Sequence, residues 1–369
     1  MIKFQTVYGQ GEFDICNRVI NIEGNSIKLK ERLIEGENRL YLKLSSKCNL
    51  MCSYCFQQED LVHSNMFSFL DYQGILMNLS NSSYDRIFLF GGEPLISENV
   101  GFINLIFNIF TKNKLSIFTN GNFNEDLFNI LKLHKENIDT VIITIDGPEE
   151  IHNFRRFNPN GNSYKIIMNN IKKLLTLVDM IDIQINIDKT NVFTINKLFD
   201  GFKEYPFLKE CQFSINPVKY TSDSLSTIEL YDFYFKLVKH YKEYCISLNS
   251  KTFINFIDFL GGKPIVKERC GIGHTHIFDF ENNIIYACPQ KMVSKVGDLN
   301  YNGYKLDHRK IDEYHNISMK NNSECQSCFY SLFCDQGCAF EPKKVNCKQR
   351  TCTLLTKILD NISLFFQIK

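Results

Sequence analysis

Cys48, Cys52 and Cys55 stand in one short loop with the spacing CxxxCxxC. Thiolates so spaced can wrap one compact cubane, each binding a different iron. A [4Fe–4S] cluster takes four ligands, normally four cysteines, so three leave one iron open to an outside ligand. An open iron suits a catalyst better than a simple electron carrier. The same three thiols also allow a zinc site completed by a remote fourth ligand. Eight more cysteines lie between positions 270 and 352. Cys325, Cys328, Cys334 and Cys338 form CxxCx5CxxxC, with Cys270 and Cys288 upstream and Cys347 and Cys352 downstream. That density reads as metal ligation, by zinc knuckles or by clusters. Cys16, Cys211 and Cys245 stand apart and read as buried apolar residues.

The compartment follows from the 14 cysteines and the N-terminus. Residues 1–8 hold no apolar core with a small-residue cleavage site, so no signal peptide is expected. No apolar run approaches the roughly 20 residues that span a bilayer. The longest, Phe102 to Phe110, is interrupted by Asn104 and Asn108. A reducing cytoplasm, where disulfides rarely persist, is the expected setting. The 369 residues are 44% hydrophobic and 22% charged, enough apolar content for a buried core. Lys plus Arg is 42 and Asp plus Glu is 41, so no charge excess points to nucleic acid or an anionic membrane.

The segments that must position the cysteine loop alternate in character. Strand-like runs occupy 39–44, 86–90, 115–119, 140–145, 181–187 and 212–216. Segments with helical spacing follow at 65–79, 98–110, 124–134, 164–177, 192–202 and 225–247. Six strand-then-helix units predict a parallel α/β architecture. A partial (β/α)6 barrel fits the count, and a doubly wound sheet has the same periodicity. The special residues recur just after successive strands: the cysteine loop, then Gly91-Gly92-Glu93-Pro94, then Thr119-Asn120-Gly121, then Asp146-Gly147-Pro148. In a parallel barrel those loops share one face. Asn216, at the sixth strand's end, is a candidate substrate contact, and Cys211, which opens that strand, could line the same cavity.

The cysteine loop, with Tyr54 before its last cysteine, resembles the CxxxCxΦC signature of the radical S-adenosylmethionine (SAM) superfamily. Gly91-Gly92-Glu93-Pro94 resembles its GGEP motif. Thr144-Ile-Asp146-Gly147-Pro148-Glu-Glu-Ile-His152-Asn-Phe-Arg-Arg156 resembles the SIDGPxxxHxxxR segment of members with a C-terminal SPASM domain; Thr144 keeps the hydroxyl of the usual serine. The resemblance implies that Cys48, Cys52 and Cys55 hold a SAM-binding [4Fe–4S] cluster. It implies that Tyr54, Gly91, Gly92, Glu93, Pro94, Asn120, Thr144 and Arg156 surround the cofactor. Glu93 could accept from the SAM ammonium, and Arg156 could grip a carboxylate in a fork. His152 could brace its loop, and Arg155 could be a solvated surface charge. SAM is then cleaved by one electron, giving a 5′-deoxyadenosyl radical that abstracts hydrogen.

The same resemblance implies two auxiliary [4Fe–4S] clusters, three clusters in all. One would use Cys270, Cys288 and Cys338, its fourth position open or borrowed from His274, His276 or Cys347. The other would use Cys325, Cys328, Cys334 and Cys352, with Cys347 as the alternate. Asn283 takes the place of a turn glycine, which its tolerance of the left-handed conformation permits. The expected organisation is a hairpin region over 1–37, a partial barrel over 38–248, a SPASM domain over 249–352 and a C-terminal helix over 353–369.

Three functions follow from the resemblance or compete with it. The first is maturation of a ribosomally made precursor peptide by a thioether or carbon–carbon crosslink, or by epimerisation. The second is anaerobic sulfatase maturation, the oxidation of Cys or Ser to formylglycine. Those enzymes resemble one another in an aspartate directly after the second auxiliary-cluster cysteine, whereas Cys288 is followed here by Pro289 and Gln290. Neither can take a proton. The third is a non-catalytic metal-binding or electron-transfer protein. A reduced flavodoxin or ferredoxin is the implied electron donor. Residues 1–37 are short for a winged-helix leader-binding domain, so the hairpin, the barrel edge or a separate protein is expected to bind a leader.

Overall fold

A computed structural model of the chain describes residues 1–6, 9–30, 33–55, 57, 72–218, 221–266, 271–289, 294–300, 303–317, 327–328, 330–331, 333 and 347–365. It forms two units: residues 37–218 with 271–312, and residues 1–36 with 219–270 and 313–369.

The first unit is built on a mostly parallel sheet. Its strands lie in the order Gln212–Pro217, Met180–Ile187, Ile138–Thr144, Leu115–Thr119, Arg86–Phe90, Arg39–Lys43. All five pairings among them are parallel. Spatial order follows chain order without reversal. A doubly wound sheet reverses at a switch point; a sequential one has every right-handed crossover on the same side, which is a barrel's construction. The predicted strands therefore stand within two residues of the observed ones. On the helix side Leu42, Leu89, Ile117, Ile143, Ile183 and Ile215 are fully buried. On the inner side Tyr41, Phe88, Ile142, Ile277 and Tyr286 form a cluster bordered by half-buried Phe90 and Phe118.

Beyond Arg39–Lys43 the sheet continues. Thr275–Asp279 pairs parallel to it, and Ile284–Tyr286, Lys295–Asn300 and Gly303–Leu306 follow antiparallel. The turn before Ile284 places Asn283 at φ 57°, the left-handed conformation expected of it. Lys43 and Asp279 close the join with a buried ion pair of 2.7 Å.

The second unit corrects four expectations. The N-terminal region is not a two-strand hairpin but an antiparallel meander of Ile2–Thr6, Gly9–Asp14, Val19–Ile22 and Asn25–Lys28. Ile2, Phe4 and Thr6 alternate inward, a signal as regular as the one read further on. The helical segment over 225–247 is a helix only over Thr227–His240, opened by a Ser226–Glu229 capping box, with strand Cys245–Leu248 after it. The C-terminal helix begins at Cys347, so Cys352 lies inside it rather than ahead of it. Leu354, Leu355, Ile358 and Leu359 form its buried stripe. Phe13, Phe256, Phe259 and Phe333 pack together at centroid separations of 4.9–6.5 Å. Of the isolated cysteines only Cys211 is buried; Cys16 and Cys245 are exposed. No helix among the described residues is long and apolar enough to cross a membrane.

Candidate active site

The cysteine loop leaves the C-terminal end of Arg39–Lys43 and is clipped to the glycine turn after Arg86–Phe90. Gly92 N donates to Ser45 O (2.9 Å) and Glu93 N to Lys47 O (2.8 Å). The contact explains both glycines. A Cβ on Gly91, at φ 147°, meets Ser45 O at 2.5 Å, and one on Gly92 meets Ser46 O at 2.3 Å and Lys47 O at 2.4 Å. Backbone has to yield in either case. Gly92→Ala is expected to cost ~1–3 kcal/mol locally and to lower the iron bound after anaerobic reconstitution, read by iron assay beside far-UV dichroism. Iron content equal to the unsubstituted chain contradicts this role.

Glu93 is 1% exposed and joins two strand ends. Its Oε1 accepts from Leu95 N (2.8 Å) and Thr119 Oγ1 (2.7 Å), and Oε2 from Asn120 N (2.5 Å). Three of the carboxylate's roughly four acceptor positions are thus filled. Burial pushes its pKa up to about 7. Pro94, also buried, offers its carbonyl to Asn99 Nδ2 at 3.0 Å. Asn120 turns its side chain to the loop, with Nδ2 2.6 Å from Asn49 Oδ1 and 3.8 Å from Cys48 Sγ.

The far side of the loop is held by the arginine segment. Arg156 pairs with Cys52 and Phe157 with Met51 as a short antiparallel bridge, and Ser53 N donates to Arg155 O at 2.9 Å. Arg156 Nη1 donates to Tyr54 Oη at 2.7 Å and lies 3.9 Å from Asp146 Oδ2. Tyr54 Oη in turn donates to Asp146 and accepts from Asn186 Nδ2 at 3.1 Å. Burial alone would lower the Arg156 pKa; Cys52, Tyr54 and Asp146 outweigh it and hold the guanidinium charged.

Arg155 is a correction. It is 4% exposed, forks onto Asp188 with two 3.0 Å bonds and lies 4.8 Å over the Tyr54 ring. The fork foreseen for Arg156 is therefore made by its neighbour. His152 braces its loop: Nδ1 accepts from Asp146 N at 3.3 Å, and burial drives its pKa well down, so the ring is neutral with its proton on Nε2. Thr144 ends its strand half-buried.

Sequence reasoning missed Asn186, Asp188, Thr190 and Asn191. Asn191 Nδ2 donates to the Asp146 carbonyl at 2.6 Å, and Asn186 N to Asp146 Oδ1 at 3.0 Å. The signal for the last three was available: Asp188-Lys-Thr190-Asn191 directly follows the fifth strand, where the first four units carry their motifs.

The thiols sit in one loop. Burial pushes Cys48 up to about 12 and raises Cys52; the charges of Cys52 and Cys55 act on one another, as do those of Cys48 and Cys52. Among the described residues no three His, Cys, Asp or Glu stand together at metal-ligating geometry. Cys48 and Cys55 are half-buried and Cys52 buried in that loop, and three thiolates of one loop fit the donor set of a [4Fe–4S] cluster with one protein ligand short. Of the other expected ligands, Cys270, Cys325, Cys334 and Cys338 lie outside the described residues, as does the Cys347 side chain. Cys288, Cys328 and Cys352 are half-buried. Cys352 bonds the Tyr330 hydroxyl, and Cys328 acts on the same group; burial and these two thiols push Tyr330 up to about 12. His274 Nδ1 lies 3.2 Å from Asn38 Oδ1 and His276 Nδ1 3.1 Å from Tyr84 Oη.

This fold and loop define the class. The Radical SAM superfamily model matches residues 42–195, and the chain carries a radical SAM domain and is an enzyme. It is homologous to anaerobic sulfatase-maturating enzymes. The cysteine-type anaerobic sulfatase-maturating enzyme of Clostridium novyi (strain NT) is 27% identical over 339 residues, 80% of this chain and 85% of that enzyme. Among solved structures, native anSMEcpe with bound AdoMet and the Kp18Cys peptide superposes with a TM-score of 0.65 at 21% identity, over 89% of this chain and 97% of that one. Streptococcus suis SuiB bound to precursor peptide SuiA superposes with a TM-score of 0.59 at 15% identity, over 83% and 72%. These two likenesses show the fold.

Proposed function

We propose that this chain is a peptide maturase that installs a thioether or carbon–carbon crosslink in a ribosomally made precursor, or epimerises one of its residues. The carrying observation is the packing of the cysteine loop between the Gly91–Glu93 turn and the Arg156 bridge. Two structurally similar proteins are held with peptides, which supports a peptide substrate. Cys48, Cys52 and Cys55 would hold a [4Fe–4S] cluster, which together with SAM would supply a radical able to take hydrogen from an unactivated carbon. The protein's own contribution is position. Asn120 packs on the Cys48 sulfur, Arg156 fixes the Cys52 backbone, and Tyr54 ties the loop to Asp146 and Asn186. Glu93 keeps about one acceptor position for an ammonium group.

Two auxiliary [4Fe–4S] clusters in a SPASM segment over 249–352, on the cysteines named above, belong to this proposal. So do a reduced flavodoxin or ferredoxin as donor, a separate leader-binding protein and a cytoplasmic setting. Sulfatase maturation is the second reading, favoured by relatives that match over 80% of the chain. Pro289 and Gln290 after Cys288 speak against it. Mass spectrometry of a co-expressed precursor separates the outcomes. A crosslink removes two hydrogens, and epimerisation leaves the mass unchanged but alters chiral analysis. Conversion of a sulfatase-motif cysteine to an aldehyde, with precursor untouched, contradicts the first reading.

A further inference from the structure

A packed barrel fills its inner face with branched apolar side chains. Here the fifth and sixth strands do the reverse. Ile181, Ile183, Ile185 and Ile187 are buried on the helix side, while Asp182, Gln184 and Asn186 alternate with them, half-buried. The next strand pairs in register, Asp182 with Gln212, Gln184 with Ser214 and Asn186 with Asn216. In-register neighbours share a face. Ile142, opposite Asp182 on the other side, belongs to the inner aromatic cluster. The inner face therefore carries the aromatic cluster on one half and a ladder of carboxylate, amide and hydroxyl groups on the other.

The ladder starts at the cysteine loop, since Asn186 Nδ2 donates to Tyr54 Oη. Four residues at about 3.3 Å rise put Asp182 roughly 13 Å further down the strand. Asp182 Oδ1 accepts from Ser214 Oγ at 2.8 Å. Its other partner is Gln184, and no ion pair reaches it among the described residues. Burial raises its carboxyl above the ordinary carboxylate range. A half-buried carboxylate whose two hydrogen-bond partners, Ser214 and Gln184, are both neutral is held at a cost that a bound cation offsets.

We propose that this polar half is the seat of the substrate residue, and that Asp182 selects a residue with a cationic side chain, an ammonium or guanidinium. This rests on the peptide-maturase reading and deepens it. Half-buried Phe90 and Phe118 border the opposite half, where they can cover the aliphatic stem of such a side chain.

The test uses reconstituted holoenzyme with SAM and a set of N-acetyl-Gly-X-Gly amides, with X as Lys, Arg, Gln, Glu or Leu, measured by equilibrium dialysis. The Lys and Arg peptides should bind about tenfold or more tighter than the Glu and Gln peptides. Asp182→Asn, which keeps an acceptor for Ser214, should bring the set within about twofold without changing iron content or far-UV dichroism. A wild-type set with no preference for cations, no binding by any member, or a preference that survives Asp182→Asn overturns the assignment. Peptide-free SAM cleavage by dithionite-reduced enzyme is read in parallel. Its loss counts against the radical SAM maturase reading itself, whereas its retention with charge-blind peptide binding counts against Asp182 alone.

Discussion

Cys52→Ala abolishes 5′-deoxyadenosine formation in anaerobically reconstituted, dithionite-reduced protein while leaving the chain folded. The two halves of this expectation have separate causes. The bridge between Cys52 and Arg156 is a backbone pairing, and alanine can make it. The side chain is small and only 9% exposed, so its loss opens little space. What disappears is one of three thiols, and two cannot anchor a cluster that already lacks a fourth protein ligand. Changes one layer out from a metal typically cost about 10–100-fold, and removal of a ligand should exceed that range. The measurement is chromatographic quantitation of 5′-deoxyadenosine. A variant within about tenfold of wild type contradicts the assignment of Cys52.

Asp279→Ala is expected to cost about 3–5 kcal/mol of unfolding free energy, because it strands the Lys43 ammonium at 1% exposure. The charge pair closes the join between Arg39–Lys43 and Thr275–Asp279. Asp279 also accepts from Glu281 N, Asn282 N and Asn282 Nδ2 at 2.9–3.1 Å, so it shapes the turn beyond. Glu281 from that turn accepts from Ser46 N at 2.8 Å, two positions before Cys48. Damage at Asp279 should therefore spread to the cysteine loop. Urea titration gives the stability loss. The double change Lys43→Met with Asp279→Leu should recover most of it, since a buried pair replaced by apolar side chains of similar volume is often near neutral. A single variant within about 1 kcal/mol of wild type contradicts the account of the join.

The strands of the barrel were legible because each helix-facing side is mostly Leu, Ile, Val and Phe and the first four strands each end in a motif. The choice between barrel and doubly wound sheet was not, because periodicity carries no spatial order; the sequential pairing decides it. Thr275–Asp279 was unreadable as a barrel partner, since its pairing with Arg39–Lys43 spans more than 230 positions. At the site, the cysteine loop, the glycine turn and Arg156 could be recognised from local motifs. Arg155 could not be separated from a solvated charge, because its partners, Asp188 and the Tyr54 ring, come from other units. The glycines were assigned to an approach toward a ligand, yet their tight contacts are with residues 45–47. Asn186 in the fifth strand and Asp188, Thr190 and Asn191 just after it carried no motif, only position.

Electron paramagnetic resonance of the dithionite-reduced, iron-reconstituted protein, recorded before and after adding SAM, tests the central claim most directly. A reduced [4Fe–4S] signal that changes shape on SAM addition, and that Cys52→Ala removes, is the predicted result. Zinc-loaded, colourless protein without such a signal, or a signal indifferent to SAM, contradicts it.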